Sequence, residues 1–99
     1  MSGGEQLMLA LARVICTDPR ILLLDELSMG LAPMIVAELY ESVVDLLSEG
    51  VAVVAVEQFA SVVLEHADHA ILMSSGHVTA SGTPKEISDQ LADTYLGGG

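Results

Sequence analysis

Ile21-Leu22-Leu23-Leu24-Asp25-Glu26 decides the fold: four consecutive aliphatic residues run into two adjacent carboxylates. An apolar run without polar alternation is expected of a strand covered on both faces, as in a parallel sheet. Parallel strands need crossover connections, usually helical. The flanking sequence supplies them. Upstream, Glu5 to about Cys16 reads as a helix, with Leu7, Leu11 and Val14 at helical spacing and Met8 and Ile15 widening the stripe. Asp18-Pro19 ends it, because the residue before proline is biased away from helix. Downstream, Ser28-Met29-Gly30-Leu31-Ala32 is a turn, and Pro33 suits the first turn of a second helix. That helix runs to about Ser48 with Val36, Leu39, Val43 and Leu46 inward, and Glu49-Gly50 stops it.

Further along, Val51 to Val56 is a second strand, rich in β-branched residues and closing on Glu57-Gln58. A helix from Ala60 to about His66 follows, then a strand over Ala70 to Met73. Gly76 allows a turn into a short strand near His77 to Ala80. Thr83-Pro84-Lys85-Glu86 is a capping box with proline just inside, opening a last helix towards Tyr95. The order α-β-α-β-α-β-β-α predicts an α/β fold, a mostly parallel sheet with flanking helices and right-handed crossovers. Residues 1–99 read as one unit, with no repeat, linker or low-complexity tract. At least two strands are expected to be buried on both faces, yet few helices are present to cover them. Unpaired edges of that kind invite association.

Composition narrows the functions. Hydrophobic residues make up 52% of the chain, which excludes disorder, and only two tyrosines and one phenylalanine are aromatic, so the core is aliphatic. Fourteen acidic residues against three basic ones, Arg13, Arg20 and Lys85, give a formal net charge of −11. That surface repels nucleic-acid phosphates and anionic lipid headgroups, so neither is expected as a partner. No uninterrupted apolar stretch is longer than Val51 to Val56, far too short to span a membrane. The amino terminus has no signal-peptide character, and the expected compartment is cytoplasmic. Cys16, preceded by the apolar Val14 and Ile15, is expected to be a buried thiol. His66, His69 and His77 lack the ligand set of a zinc site and read as solvated surface residues.

Two segments carry chemistry. Ser2-Gly3-Gly4-Glu5-Gln6 opens the first helix. Ser2 and Glu5 satisfy a capping box that needs no ligand. Alternatively, the two glycines let a phosphate approach the backbone where helix N–H groups point outward. Asp25 and Glu26 close a buried strand, the place where open α/β sheets bind ligands. Asp25 is a candidate for magnesium and Glu26 for polarising a water that attacks a γ-phosphate. Polar turn residues ending a strand would look the same. Each signal alone is weak.

Together they are specific. Ser2 to Gln6 resembles the signature motif of ATP-binding cassette (ABC) ATPases, and Ile21 to Glu26 resembles the Walker B segment with its catalytic glutamate. Their order and separation match that family. Ser28-Met29-Gly30-Leu31-Ala32-Pro33 resembles the D-loop of the subfamily that energises branched-chain amino acid uptake. Ala67-Asp68, Ser75-Gly76-His77-Val78, Gly82 to Ile87 and Tyr95-Leu96-Gly97 resemble the family's closing segment.

The resemblance covers essentially the whole chain and implies the C-terminal part of a P-loop NTPase fold, from the signature to the carboxyl terminus. It implies that Ser2, Gly3, Gly4, Glu5 and Gln6 bind ATP in trans, held by the opposite subunit of a head-to-tail homo- or heterodimer. Asp25 would serve Mg²⁺ and Glu26 would act as general base. Gln58 would stand at the switch position where most members have histidine, and Ser28 and Gly30 would couple the two sites. It also implies transmembrane permease subunits as partners and a position at the inner face of the plasma membrane.

The chain departs from the pattern at Met1, where leucine is usual, at Leu27, where proline commonly follows the glutamate, and at Phe59, where asparagine is frequent. No G-x-x-x-x-G-K-[ST] occurs in these residues, so the β- and γ-phosphates have no cradle here. The chain alone is therefore expected to be inactive. An ATP-hydrolysing importer subunit, a non-catalytic dimerisation module and a truncated gene product all remain open at this stage.

Overall fold

The computed structural model describes residues 3–95. The element order is α1 (Gly3–Ile15), β1 (Ile21–Asp25), α2 (Pro33–Ser48), β2 (Ala52–Val56), α3 (Ala60–Leu64), β3 (Ala70–Ser74), β4 (His77–Gly82) and α4 (Pro84–Tyr95). Every expected element is present, with ends moved by a residue or two. Two compact units divide the chain, residues 1–62 and 63–99.

In the first unit β1 and β2 pair in parallel, Ile21 opposite Ala52 through Asp25 opposite Val56. The helix between them is held at both ends by backbone chemistry. Ala32 offers no side-chain cap, and Pro33 fixes the first helical φ without wasting an N–H. At the other end Gly50 adopts φ +91°, while the amides of Gly50 and Val51 bond to the carbonyls of Leu47 and Leu46, both at 3.1 Å. This is a Schellman close, and a Cβ at Gly50 would oppose it.

One cluster forms the core: Leu11 of α1, Leu22 and Leu24 of β1, and Leu39, Val43 and Leu46 of α2. All four inward positions expected on α2 are buried, and Tyr40 joins them. On α1 Gly4 and Leu11 are buried, Leu7 and Ile15 on the same line are half-buried, and Met8 and Val14 are each 40% exposed. Cys16 is exposed rather than buried. It lies one residue beyond Ile15, about 100° around the helix from that line, so apolar sequence neighbours did not predict its surroundings.

β1 is not covered on both faces. Leu22 and Leu24 face the core, but Ile21 and Leu23 are 62% and 73% exposed. Across the register, Val54 and Val56 are 53% and 54% exposed. Side chains alternate along a strand, so these four make one bare apolar stripe. The run is aliphatic throughout because both faces carry apolar side chains, and this chain provides helices for one.

Close packing also explains one glycine. A Cβ built on Gly4 would lie 2.6 Å from Ile35 Cγ2 on α2. Cβ atoms essentially never come that close, and the methyl on the branched Cβ of a helical residue has little freedom to yield.

In the second unit β3 and β4 form an antiparallel sheet of their own. Only Ser75 and Gly76 connect them, and a two-residue link cannot make a parallel crossover. Both central residues have positive φ, +50° and +79°, as a primed hairpin turn demands. The register shifts between Leu72 and Met73, leaving Thr79 as an extra residue whose hydroxyl donates to the Leu72 carbonyl at 3.2 Å. The expected capping box is formed: the Glu86 amide donates to Thr83 Oγ1 at 3.2 Å, and the Thr83 amide to Glu86 Oε1 at 3.3 Å. Ile87 is buried beneath the helix so started.

Two consequences are measurable. Gly4→Ala should cost about 1–3 kcal/mol through overpacking, and combining it with Ile35→Ala should recover part of that cost, as chemical denaturation of the single and double variants would register. The bare stripe should make the isolated chain self-associate. Pairing Leu23→Lys with Val54→Glu should shift it towards monomer in sedimentation, whereas a sharp cooperative melt from a verified wild-type monomer would count against this.

Candidate functional site

Because β1 and β2 are parallel, their carboxyl ends lie at the same sheet edge. Asp25 is opposite Val56, and the Glu26 amide donates to the Val56 carbonyl at 2.7 Å, adding one rung beyond the last strand pair. Asp25-Glu26 and Glu57-Gln58 therefore leave the sheet side by side. Asp25 and Gln58 are exposed, while Glu26 and Glu57 are half-buried.

Glu26 has φ +51°, left-handed backbone that a residue with a Cβ rarely adopts. Leu27 follows, so the restriction that proline places on its predecessor is absent here. The chain then folds back: the Met29 amide bonds to the Glu26 carbonyl at 3.3 Å and the Leu31 amide to the Ser28 carbonyl at 3.2 Å. Gly30, at φ +77°, has open space around it.

A side chain outside every motif named above fastens this turn. Glu57 Oε1 accepts the Ser28 amide at 3.3 Å, across 29 residues of chain. The Tyr40 phenol of α2 borders the same carboxylate. Burial, then the negative charge of Glu57 and hydrogen bonding to it, push the phenol far above its ordinary range. The available signal was a carboxylate placed directly after the apolar run Val51–Val56, one residue before Gln58.

The start of α1 meets the far end of the same connection. A Cβ on Gly3 would sit at an ordinary 3.5 Å from Leu31 Cδ2, whereas Gly4 is pressed against Ile35. Glu5 and Gln6 are exposed on the first turn. Ser2 lies outside the described residues. Of the two glycines, Gly4 thus has a packing role independent of any ligand, and Gly3 leaves its backbone open.

The apolar hollow between α1 and β1, about 150 Å³ and lined by residues including Leu7, Val14, Leu23 and Leu27, contains none of these polar groups. It is a packing gap beside the bare stripe. Among the described residues no cluster of three or more His, Cys, Asp or Glu side chains is arranged to hold a metal. A lone exposed carboxylate at Asp25 nevertheless suits Mg²⁺, which takes one or two protein oxygens beside water and substrate phosphate. The residues fit an ion that arrives with a nucleotide. No described helix is long and apolar enough to cross a membrane.

No family model matches the chain. Among individual proteins, the high-affinity branched-chain amino acid transport ATP-binding protein BraG of Pseudomonas aeruginosa is 43% identical over 100 residues, covering 99% of this chain and 43% of that protein. The probable branched-chain amino acid transport ATP-binding protein LivG of Archaeoglobus fulgidus is 32% identical, covering 98% and 38% respectively. Among solved structures, cbiO1 of Clostridium perfringens, part of the ABC transporter complex cbiONQ, superposes with a TM-score of 0.83 at 28% identity, covering 97% of this chain and 41% of that one. The chain therefore spans about two fifths of the length of the relatives it matches. With strand-end carboxylates, turn and glycine pair laid out on a fold shared with those cassettes, the chain belongs to the ABC transporter ATP-binding family and represents a portion of its cassette.

Proposed function

We propose that this chain supplies the signature, Walker B and switch portion of the ATP-hydrolysing subunit of an importer for branched-chain amino acids. The observation that carries the reading is the common edge: parallel pairing sets Asp25, Glu26 and Gln58 together, and the Ser28–Gly30 turn is bonded to that edge. The names of the BraG and LivG proteins support the substrate class.

Each residue has a defined task. Asp25 holds Mg²⁺, directly or through water, and the ion neutralises phosphate charge when the nucleotide is present. Glu26 accepts a proton from the attacking water as general base. Its left-handed backbone is the kind of strain that persists where function sets the geometry. Gln58 donates its amide N–H₂ to the γ-phosphate, without the charge a histidine could carry. Ser2, the open backbone at Gly3 and the adjacent N–H groups of the α1 amino terminus face a nucleotide held by the opposite subunit of a head-to-tail dimer. Glu5 and Gln6 continue that turn. Ser28 and Gly30 lie where one site senses the other. Permease subunits at the inner membrane face would be the partners, since the acidic chain has no attraction for anionic lipid or nucleic acid.

The bare stripe of Ile21, Leu23, Val54 and Val56 favours a second reading, a non-catalytic module docking on an ABC ATPase. ATP turnover separates the two.

The isolated chain should bind no ATP in the micromolar range by calorimetry, because it has no phosphate-binding loop of its own. Purified with a polypeptide carrying that loop, it should hydrolyse ATP, and Glu26→Gln should lower the rate by at least about a hundredfold while sparing ATP-driven dimerisation. Wild-type turnover in that variant would remove Glu26 from the base role, and turnover in no assembly would favour the docking module.

A further inference from the structure

Glu57 is absent from the nucleotide, metal and coupling roles proposed above, yet it holds the turn on which two of those residues lie. Its backbone follows directly on β2, whose last residue, Val56, accepts the Glu26 amide at 2.7 Å. Through Oε1 its carboxylate takes the Ser28 amide at 3.3 Å. Tyr40 borders it from α2. One half-buried carboxylate thus links the end of β2, the turn after β1 and the helix that follows that turn.

We propose that Glu57 is a positioning residue: by accepting the Ser28 amide it fixes the Glu26–Gly30 turn against the end of β2, and so sets Glu26 and Ser28 relative to Gln58. The inference rests on the hydrolytic role proposed for this edge and adds a residue to it.

The physical case begins with the turn itself. Two bonds of 3.2 and 3.3 Å hold it internally, and Gly30 adds freedom rather than restraint. Glu26 holds a left-handed conformation that a non-glycine residue leaves readily unless neighbours over-determine it. The Glu26–Val56 rung anchors the start of the turn, and the Ser28–Glu57 bond anchors its middle. Backbone N–H donation to an ionised carboxylate is stronger than a neutral hydrogen bond, and half-burial limits competition from water. Tyr40, buried on α2, lies beside the carboxylate. Sequence position then matters: Gln58 is the next residue, so the group that clamps the turn also begins the segment carrying the switch.

The function of Glu57 is one of reach, which separates two conservative variants. Glu57→Gln keeps an oxygen at the same distance from the backbone and loses the charge. Glu57→Asp keeps the charge and withdraws the oxygen by one methylene. In the chain, exchange at the Ser28 amide should rise about tenfold in Glu57→Asp and much less in Glu57→Gln, the loss expected for one charged hydrogen bond. In the complex with a loop-bearing polypeptide, Glu57→Asp should lower kcat about tenfold at nearly constant KM for ATP, and Glu57→Gln should recover most of that rate. Equal exchange in all three chains, or a Glu57→Asp rate above that of Glu57→Gln, would overturn the positioning role. A wild-type complex without ATPase would instead overturn the hydrolytic reading, while Ser28 exchange still decides whether the clamp exists.

Discussion

The parallel register of β1 and β2 is the constraint from which the rest of the first unit follows. It needs a crossover, and α2 supplies one long enough to bury Leu39, Val43 and Leu46 against Leu22 and Leu24. It also needs both strands to end at one edge, which is how residues 31 positions apart become neighbours. An antiparallel pair would have sent Glu26 and Gln58 to opposite ends of the sheet. In the second unit, where two residues join β3 to β4, the pairing reverses and no such convergence of strand ends arises.

Positive φ falls on glycines and on residues with a Cβ alike. Gly30, Gly50 and Gly76 take it where no side chain resists it, and Asp18 and Ser75 take it in turns. Glu26 takes it despite its Cβ, at a position where the proposed chemistry needs a carboxylate rather than a hydrogen. Such strain survives when the surroundings hold it, and here the surroundings are one backbone rung to Val56 and one side-chain clamp from Glu57. Stability and reactivity draw on the same few bonds.

The glycines of the first helix carry a related lesson. A phosphate reading of Gly3-Gly4 treats them alike, but their environments differ. Gly4 is demanded by Ile35 on α2, and Gly3 alone keeps an accessible backbone. Packing of α1 on α2 and presentation of the helix amino terminus are thus separate requirements that meet in adjacent residues. A substitution at Gly4 acts on the fold first, so its effect on nucleotide binding is not a direct report of contact.

The linear order of residues specified the elements and their succession, because periodicity, proline, glycine and capping residues act over a few positions. Pro33, Gly50 and the Thr83–Glu86 pair each did locally what their chemistry dictates. It also marked Asp25 and Glu26, since paired carboxylates after an aliphatic run are visible in one dimension. The exposure of Cys16, the bare face carrying Leu23 and Val54, the demand of Ile35 on Gly4 and the grip of Glu57 on Ser28 emerge once the elements pack in three dimensions. Burial and hydrogen bonding between distant residues depend on which elements meet, and a linear pattern records the tendency of a side chain to be covered, not what covers it.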